Sequence, residues 1–424
     1  MSLPPISIVY WTPFFTQPYN DGTNLDVSCS KPPDLDIEGD SWCTVTSNRS
    51  LVNDAAAIVF HAFDYNDNDV PDHAVGQPWI LMTMESPINP PFRRDEAKMH
   101  TFEYLASYNL QSRFFMGYYS PNILNAVNQP PPEMSSKTGD SPVLWIASNC
   151  DAWSGRHHYV RELMKYINID SYGTCLNNKA FPDNVSRDEL MGQYKFYLAI
   201  ENSNCDDYVT EKLFDTFQSS TVPIVDGPPL YDSFLPNARS AIRMDAYPDP
   251  RELADYLHYL DQNDTAYLEY FNYRNQDMEL QQRVSEPFLS QWGDWERFNN
   301  KSGWCGICRG VASWWQARHN TTMMDYPRDM GQYLRTDRSC IPEGKWDYVR
   351  QGPPYIPHWK PTLPDEFTRP WIKKRLPIYQ QPGGLGENSG MSIRTMWGVY
   401  TLLYILFFVF VAMLLYTKRR RGHQ

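Results

Sequence analysis

An α/β fold in two successive units is what this sequence predicts, on three observations. Short, almost wholly apolar runs recur as buried strands do. Polar or helically spaced stretches separate them. A Pro- and Ser-rich stretch, Asn128-Gln-Pro-Pro-Pro-Glu-Met-Ser-Ser-Lys-Thr-Gly-Asp140, interrupts the alternation and reads as a linker over residues 128–140.

In the first unit, residues 1–127, the runs 6–11 and 57–63 read as strands, and 79–84 as a third that ends at Glu85. The second unit, residues 141–342, starts with a strand at 142–148, a helix at 156–166 and a strand at 169–172. Its next stretch runs from a buried strand at 196–200 through a polar loop at 201–207 to a helix at 209–219. Leu213, Phe214 and Phe217 share one side of that helix, and Thr221-Val-Pro-Ile-Val-Asp-Gly227 closes the stretch as a strand. Helical spacing returns at 250–262 and in the Tyr- and Trp-rich stretch 266–295. Residues 343–395 are Pro-rich with little periodicity and read as an extended stem. No internal repeat is visible.

At 424 residues the chain has room for two domains of ordinary size. Its formal net charge of −12 excludes nucleic acid as the main partner, because phosphate backbones demand a basic footprint. A small anionic ligand needs only a local basic pocket. The abundant Trp and Tyr suit sugar-stacking surfaces, and equally a filled core.

Residues 396–416 are apolar enough, and long enough, for a helix crossing a bilayer core that needs roughly 20 residues. The tail that follows, residues 417–424, carries Lys418-Arg-Arg-Arg421, which favours a cytosolic carboxyl end and a body on the lumenal side. Sequons at Asn48, Asn184, Asn263, Asn300 and Asn320 agree with a secretory lumen, although each by itself also reads as an unmodified surface Asn. Eight cysteines fit an oxidising compartment. The amino end disagrees: it has neither a basic region nor an apolar stretch of signal-peptide length. Either a leader precedes this start, or the tail alone directs insertion and leaves the body in the cytosol. The lumen is the expectation.

The loop at 201–207 places Glu211 and Lys212 in the first turn of the following helix. A helix start at the carboxyl end of a parallel strand offers unpaired N–H groups, which favours a phosphate-bearing ligand. No obligatory metal is expected. Asp206-Asp207 lacks the Asp-x-Asp spacing, and the adjacent His157-His158 diverge on a helix. Cys305-Gly-Ile-Cys308 has no second pair at zinc spacing and stands in a Trp-rich, loop-like region.

The stretch from Gln193 to Phe214 resembles the donor-binding signature of the α1,3-fucosyltransferases, glycosyltransferase family 10. Ala147-Ser-Asn-Cys150, Arg156 and Ile169-Asp-Ser-Tyr-Gly-Thr-Cys175 precede it in family order. Val222-Pro-Ile-Val-Asp-Gly-Pro-Pro229, Phe234-Leu-Pro236 and Tyr267-Leu-Glu-Tyr-Phe271 follow, with weaker matches at Tyr10-Trp11 and Glu85-Ser-Pro87. The resemblance implies a GT-B architecture, two Rossmann-like domains facing a cleft, here with a carboxyl-terminal stem and one transmembrane helix. Relatives are usually anchored near the amino end, so that anchor departs from the pattern.

By that resemblance the reaction is inverting transfer of fucose from GDP-fucose to a GlcNAc hydroxyl of a glycan, α1,3-linked, in the Golgi membrane with the catalytic body in the lumen. GDP-fucose is the donor substrate rather than a cofactor, and weak stimulation by a divalent cation stays open. Glu85 takes the general-base position. Arg156 and Lys212 hold the diphosphate, and Glu201, Asn202, Ser203, Tyr208 and Glu211 complete the donor set. Each has a plainer alternative: Glu85 as a turn carboxylate before Pro87, Lys212 as a solvated helix residue, Glu201 as a buried carboxylate bonded to backbone. Relatives carry a similar late Cys-x-x-Cys tied down by disulfides. This gives Cys305 and Cys308 a structural role with Cys29 and Cys43 as partners, linking the two domains, in a connectivity left open.

Ile169-Asp-Ser-Tyr-Gly-Thr-Cys175, Gly117-Tyr-Tyr-Ser120 and the late Cys pair lean towards the branch acting on the innermost N-glycan GlcNAc rather than on lactosamine. Pro90-Pro-Phe-Arg-Arg94 has no clear family counterpart. The alternatives are a protein O-fucosyltransferase, a GT-B transferase using another nucleotide sugar, and an inactive membrane-tethered glycan-binding protein.

Overall fold

The computed structural model describes residues 3–37, 41–118, 123–294, 302–319 and 339–361. The expected span at 396–416, the tail at 417–424, the stem beyond residue 361, Asn300, Asn320 and the end of the Gly117–Ser120 motif lie outside the described residues. Among the described residues no helix is long and apolar enough to cross a membrane.

β1 (Ile6–Tyr10), β2 (Leu25–Asp26), β3 (Cys43–Thr46), β4 (Ala57–His61), β5 (Trp79–Thr83), β6 (Tyr104–Ser107) and β7 (Phe114–Phe115) form the sheet of the first lobe, in the order β2-β3-β1-β4-β5-β6-β7. Only β2 runs antiparallel to its neighbour. Alternate residues feed two separate cores, as the period of two requires. Ile6, Ile8, Tyr10, Ala57, Val59, Ile80 and Met82 enter one, and Val9, Ile58, Phe60, Trp79 and Leu81 the other. Burial on both faces is why these strands are continuous apolar runs in sequence.

The second lobe holds β8 (Val143–Trp145), β9 (Ile169–Ser171), β10 (Phe196–Ile200), β11 (Val222–Asp226) and β12 (Ile242–Arg243), all parallel, in the order β9-β8-β10-β11-β12. Among its helices are α1 (Arg156–Leu163), α2 (Arg187–Gly192), α3 (Glu211–Gln218) and α4 (Pro250–Asp261), with others at Asp264–Leu268, Leu280–Arg283 and Glu286–Trp292. Their starts follow local chemistry. Ser186 and Glu189 form a capping box on α2, Thr210 caps α3, and Asp249 caps α4 ahead of Pro250 at its first position. Strand order reverses between β8 and β10, which opens a crevice at their carboxyl ends. Two such sheets, one wholly and one mostly parallel, make the fold α/β and GT-B-like.

Three readings of the sequence change. The region around Cys305-Gly-Ile-Cys308 is a helix, α5 (Gly303–His319), not a loop. It packs on the first sheet, where Trp314 stacks on Tyr104 with centroids 5.0 Å apart and Trp315 Nε1 donates to Pro4 O at 3.0 Å. Cys29 pairs with Cys305 and Cys43 with Cys308. The partners are those expected, but they pin a returning helix to the first lobe rather than one domain to the other. Finally, residues 343–361 pack as part of the second lobe: Trp346 is fully buried, Tyr348 Oη donates to Pro248 O at 2.7 Å, and Trp359 lies edge-on to Trp346.

The linker is bound, not loose. Lys137 Nζ donates to Gly192 O and Ser220 O at 2.9 and 2.7 Å, while Arg283 donates to Val127 O and Asn128 Oδ1.

Candidate functional site

The crevice between β8 and β10 gathers most of the expected donor residues. Glu201 follows directly on β10 and is 1% exposed. Thr210 N and Oγ1 donate to its Oε1 at 2.9 Å, and Lys212 Nζ lies 3.0 Å from Oε2. Burial pushes the Glu201 carboxyl up against the pull of Lys212. Lys212 also donates to Thr210 Oγ1 at 2.6 Å and reaches Glu211 at 3.4 Å. Burial works against its ammonium, but Glu201 and Glu211 outweigh it and hold its pKa above the ordinary lysine value. Burial raises the Glu211 carboxyl, yet Lys212, a backbone N–H and Arg187 bring it below the ordinary range.

Arg156 opens α1 after Gly155, whose left-handed φ of 71° makes the turn into the helix. Its guanidinium is 4% exposed and donates to Ile200 O. Its charge registers on Lys212 as repulsion, and Glu201 is a counter-charge common to both. Lys212 pairs with Glu201 directly, while Arg156 bonds the carbonyl of the residue before it, so both cations lie at the end of β10. Lys212, with 19% of its side chain exposed, is the cation more open to a ligand. Asn202 O accepts from Ser154 N at 2.9 Å, tying the α1 loop to the β10 loop, and Ser203 Oγ donates to Asn202 Oδ1 at 3.0 Å.

Glu85 stands across from this loop, one turn beyond β5. Its N donates to Thr83 Oγ1 at 3.1 Å, and its O accepts from Arg93 Nη1 at 3.2 Å. Its carboxylate accepts from Tyr208 Oη of the other lobe at 3.1 Å. Tyr208 packs edge-on against Tyr108 and beside Tyr118, and Leu110 N donates to Asp207 Oδ2 at 3.1 Å. Arg94 lies over the Trp153 ring at 5.9 Å. Apart from the two backbone bonds of Glu85, these contacts join the lobes.

Sequence reasoning missed the support beneath the loop. Asp226 ends β11, and its carboxylate accepts from Lys345 Nζ at 2.5 Å, Trp346 Nε1 at 2.8 Å and Asn204 Nδ2 at 3.0 Å. Residues 339–361 form a strap that crosses both loops. Cys340 pairs with Cys205, Ile341 N donates to Asn204 O, and Trp346 N donates to Ser154 O. A fourth disulfide, Cys150–Cys175, fixes the β8 loop against Gly173. Asp226 stood in a quoted motif at a strand end and could have been singled out. Nothing in the Pro-rich composition marked Lys345. An open groove of about 550 Å³, lined by Asp347, Tyr348, Arg350, Gln351, Ile356 and His358, lies on the strap itself.

Among the described residues no three His, Cys, Asp or Glu side chains group as metal ligands. Asn48 and Asn184 are exposed, while Asn263 is half-buried and caps a helix through Oδ1.

On the first lobe, strand order reverses between β1 and β4, and the loops there carry an aromatic cluster. Phe14, Phe15 and Phe63 are 37, 48 and 53% exposed; Phe14 and Phe15 pack against His61, and Phe63 packs against Phe15. Asp64 bonds His61 Nδ1 at 2.6 Å and accepts from Phe15 N and Thr16 N, both residues at positive φ. Burial lowers the His61 pKa, against the pull of Asp64 and of Glu85.

Two family descriptions match this chain: "Fucosyltransferase, N-terminal" over residues 4–119 and "Glycosyltransferase family 10 (fucosyltransferase) C-term" over residues 135–325. The chain is 32% identical over 274 residues to GDP-fucose protein O-fucosyltransferase 3 of Xenopus laevis, covering 60% of this chain and 58% of that one. It is 32% identical over 250 residues to alpha-(1,3)-fucosyltransferase B of Drosophila melanogaster, covering 54 and 56%. The chain thus spans somewhat over half the length of these relatives. A solved α1,3-fucosyltransferase with GDP aligns over 77% of this chain and 94% of its own, at a TM-score of 0.46 and 16% identity. Another, with GDP-fucose, aligns over 67 and 89%, at 0.43 and 18%. Matched in both lobes, the chain belongs to glycosyltransferase family 10, the fucosyltransferases.

Proposed function

We propose that this chain transfers fucose from GDP-fucose, with inversion, to an acceptor hydroxyl bound by the first lobe. One observation carries the reading. Lys212 paired with Glu201, and Arg156 bonded to the Ile200 carbonyl, stand at the reversal of strand order in the second sheet, and Glu85 faces their loop from the first lobe. In the reaction an acceptor O–H gives its proton to Glu85 while its oxygen bonds C1 of fucose. The C1–O bond to GDP breaks, and its electron pair goes to the β-phosphate oxygen. Lys212 and Arg156 stabilise that growing charge. Glu201 holds the ammonium rather than the sugar, because its oxygens are taken by Thr210 and Lys212.

The acceptor reading is a GlcNAc hydroxyl of a glycan, α1,3-linked. The names of the matched protein O-fucosyltransferases favour a second reading, a protein hydroxyl. The Phe14, Phe15 and Phe63 cluster offers either acceptor an aromatic platform at the strand reversal of the first sheet. The compartment we propose is the Golgi lumen, with a carboxyl-terminal anchor. All eight cysteines are paired, as oxidising compartments allow.

Calorimetry with GDP-fucose, GDP-mannose and UDP-sugars tests the donor, and a panel of N-glycopeptide, lactosamine and folded protein acceptors tests the acceptor. Glu85→Gln should lower transfer by about 10²- to 10⁴-fold with GDP affinity kept. Unchanged turnover removes Glu85 from the mechanism, and donor binding with no turnover on any acceptor favours an inactive glycan-binding protein.

A further inference from the structure

We infer that Tyr208 is a positioning residue for the base, so that Glu85 is aimed only when the donor loop is folded against the first lobe. The inference rests on the fucosyl-transfer reading and changes the part played by Tyr208, which the family signature places among donor contacts.

The backbone of Glu85 is fixed within its own lobe by Thr83 Oγ1 and Arg93 Nη1. Its side chain is not. The Tyr208 hydroxyl, 123 residues away in sequence, is the only group among the described residues that bonds the Glu85 carboxylate, and it touches Oε2 alone. A glutamate side chain has several rotamers of similar energy, and a single directed hydrogen bond is enough to select among them. Holding Oε2 leaves Oε1 to receive the acceptor proton.

Tyr208 is itself immobilised. It is 1% exposed, sits edge-on to Tyr108 with centroids 4.9 Å apart, and packs with Tyr118. Its loop is closed by the Cys205–Cys340 disulfide and tied to the first lobe where Leu110 N donates to Asp207 Oδ2. The neighbouring Asp207 has a left-handed φ of 58°, which a short acidic residue tolerates, and this turn carries the chain from the disulfide to Tyr208. Tyr108 and Tyr118 come from the first lobe and Tyr208 from the second, so the phenol cluster assembles only across the cleft. Glu85 and its partner thus come from opposite walls of the cleft, so the base is aimed only where the loop at 201–210 lies against the first lobe.

The test is a double-mutant cycle on the full chain, read by GDP binding, by transfer to an N-glycopeptide carrying core GlcNAc, and by GDP-fucose hydrolysis with water as acceptor. Tyr208→Phe should lower kcat for both reactions about 10- to 100-fold while leaving the GDP Kd unchanged. In a Glu85→Gln background the same change should cost less than about threefold, because Tyr208 acts through Glu85. Tyr118→Phe should move kcat in the same direction by less. Should Tyr208→Phe weaken GDP instead, or lose the same factor with and without the Glu85 carboxylate, the assignment is overturned and Tyr208 is a donor contact or a packing residue. A wild-type chain that neither binds GDP nor cleaves GDP-fucose overturns the fucosyl-transfer reading, and this one with it. Loss of the thermal transition in Tyr208→Phe would shift the measurement to Tyr118→Phe, where additivity with Glu85→Gln is equally fatal.

Discussion

Replacing Lys345 by Met isolates the contribution of the strap to the donor site. Lys345 and Asp226 are 2.5 Å apart, with side chains 4 and 1% exposed, so the substitution strands a carboxylate with almost no water around it. Breaking such a pair from one side costs about 3–5 kcal/mol. Trp346 Nε1 and Asn204 Nδ2 still donate to Asp226, which draws the expectation to the lower end, about 3 kcal/mol. The Lys345 ammonium also lies 4.9 and 5.0 Å from the Trp346 and Trp359 rings, and losing those contacts adds roughly 0.5–2 kcal/mol. Against a total stability of about 5–15 kcal/mol the loss is large. It should also reach the ligand, because Glu201 N donates to Asp226 O at 2.7 Å. Urea unfolding with the disulfides intact, together with GDP calorimetry, measures both effects. Neutralising the stranded acid in Lys345→Met/Asp226→Asn should recover much of the stability. A loss below about 1 kcal/mol in the single variant, or no recovery in the double, refutes the reasoning.

Two further outcomes test the packing around the same loops. Gly173→Ala places a Cβ 1.9 Å from Ala147 O, against backbone that cannot rotate away, in a loop closed by Cys150–Cys175, so secretion or the unfolding midpoint should fall sharply; a variant as stable as wild type would show that the loop shifts freely. His157 is 8% exposed, and burial, aided by His158 and Arg161, pushes its pKa down to about 4. Between roughly pH 6.5 and 4 the unfolded chain therefore takes up a proton that the folded chain refuses, and stability present above that window drains away as pH falls. With solvent screening of a partly hydrated ring the loss at pH 5 is about 1–2 kcal/mol, and His157→Gln should abolish that share of it; equal losses in variant and wild type would exclude the residue.

The longer strands of both sheets were legible because burial on two faces leaves runs almost wholly apolar, as at residues 57–61, 79–83 and 196–200. The donor loop was legible because strand, loop and capped helix follow one another within 25 residues, so local spacing carries the geometry. Short strands were not: Cys43–Thr46 alternates with polar residues at the sheet margin, and Phe114–Phe115 is too brief to show a period. Helix α5 escaped because apolar residues surround most of it, Trp314 and Trp315 included, which erases the one-sided pattern that spacing arguments need.

What the amino-acid order determined by itself was the longer buried strands, the helices that follow three of them and the charged loop at 201–207, since each depends on residues a few positions apart. Only the tertiary structure decided that Glu85 meets Tyr208, that Lys345 neutralises Asp226 and which cysteines pair. Those contacts join residues 25 to 276 positions apart, and no local periodicity records them. They exist because two independently patterned sheets bury their faces and bring their strand ends to one crevice.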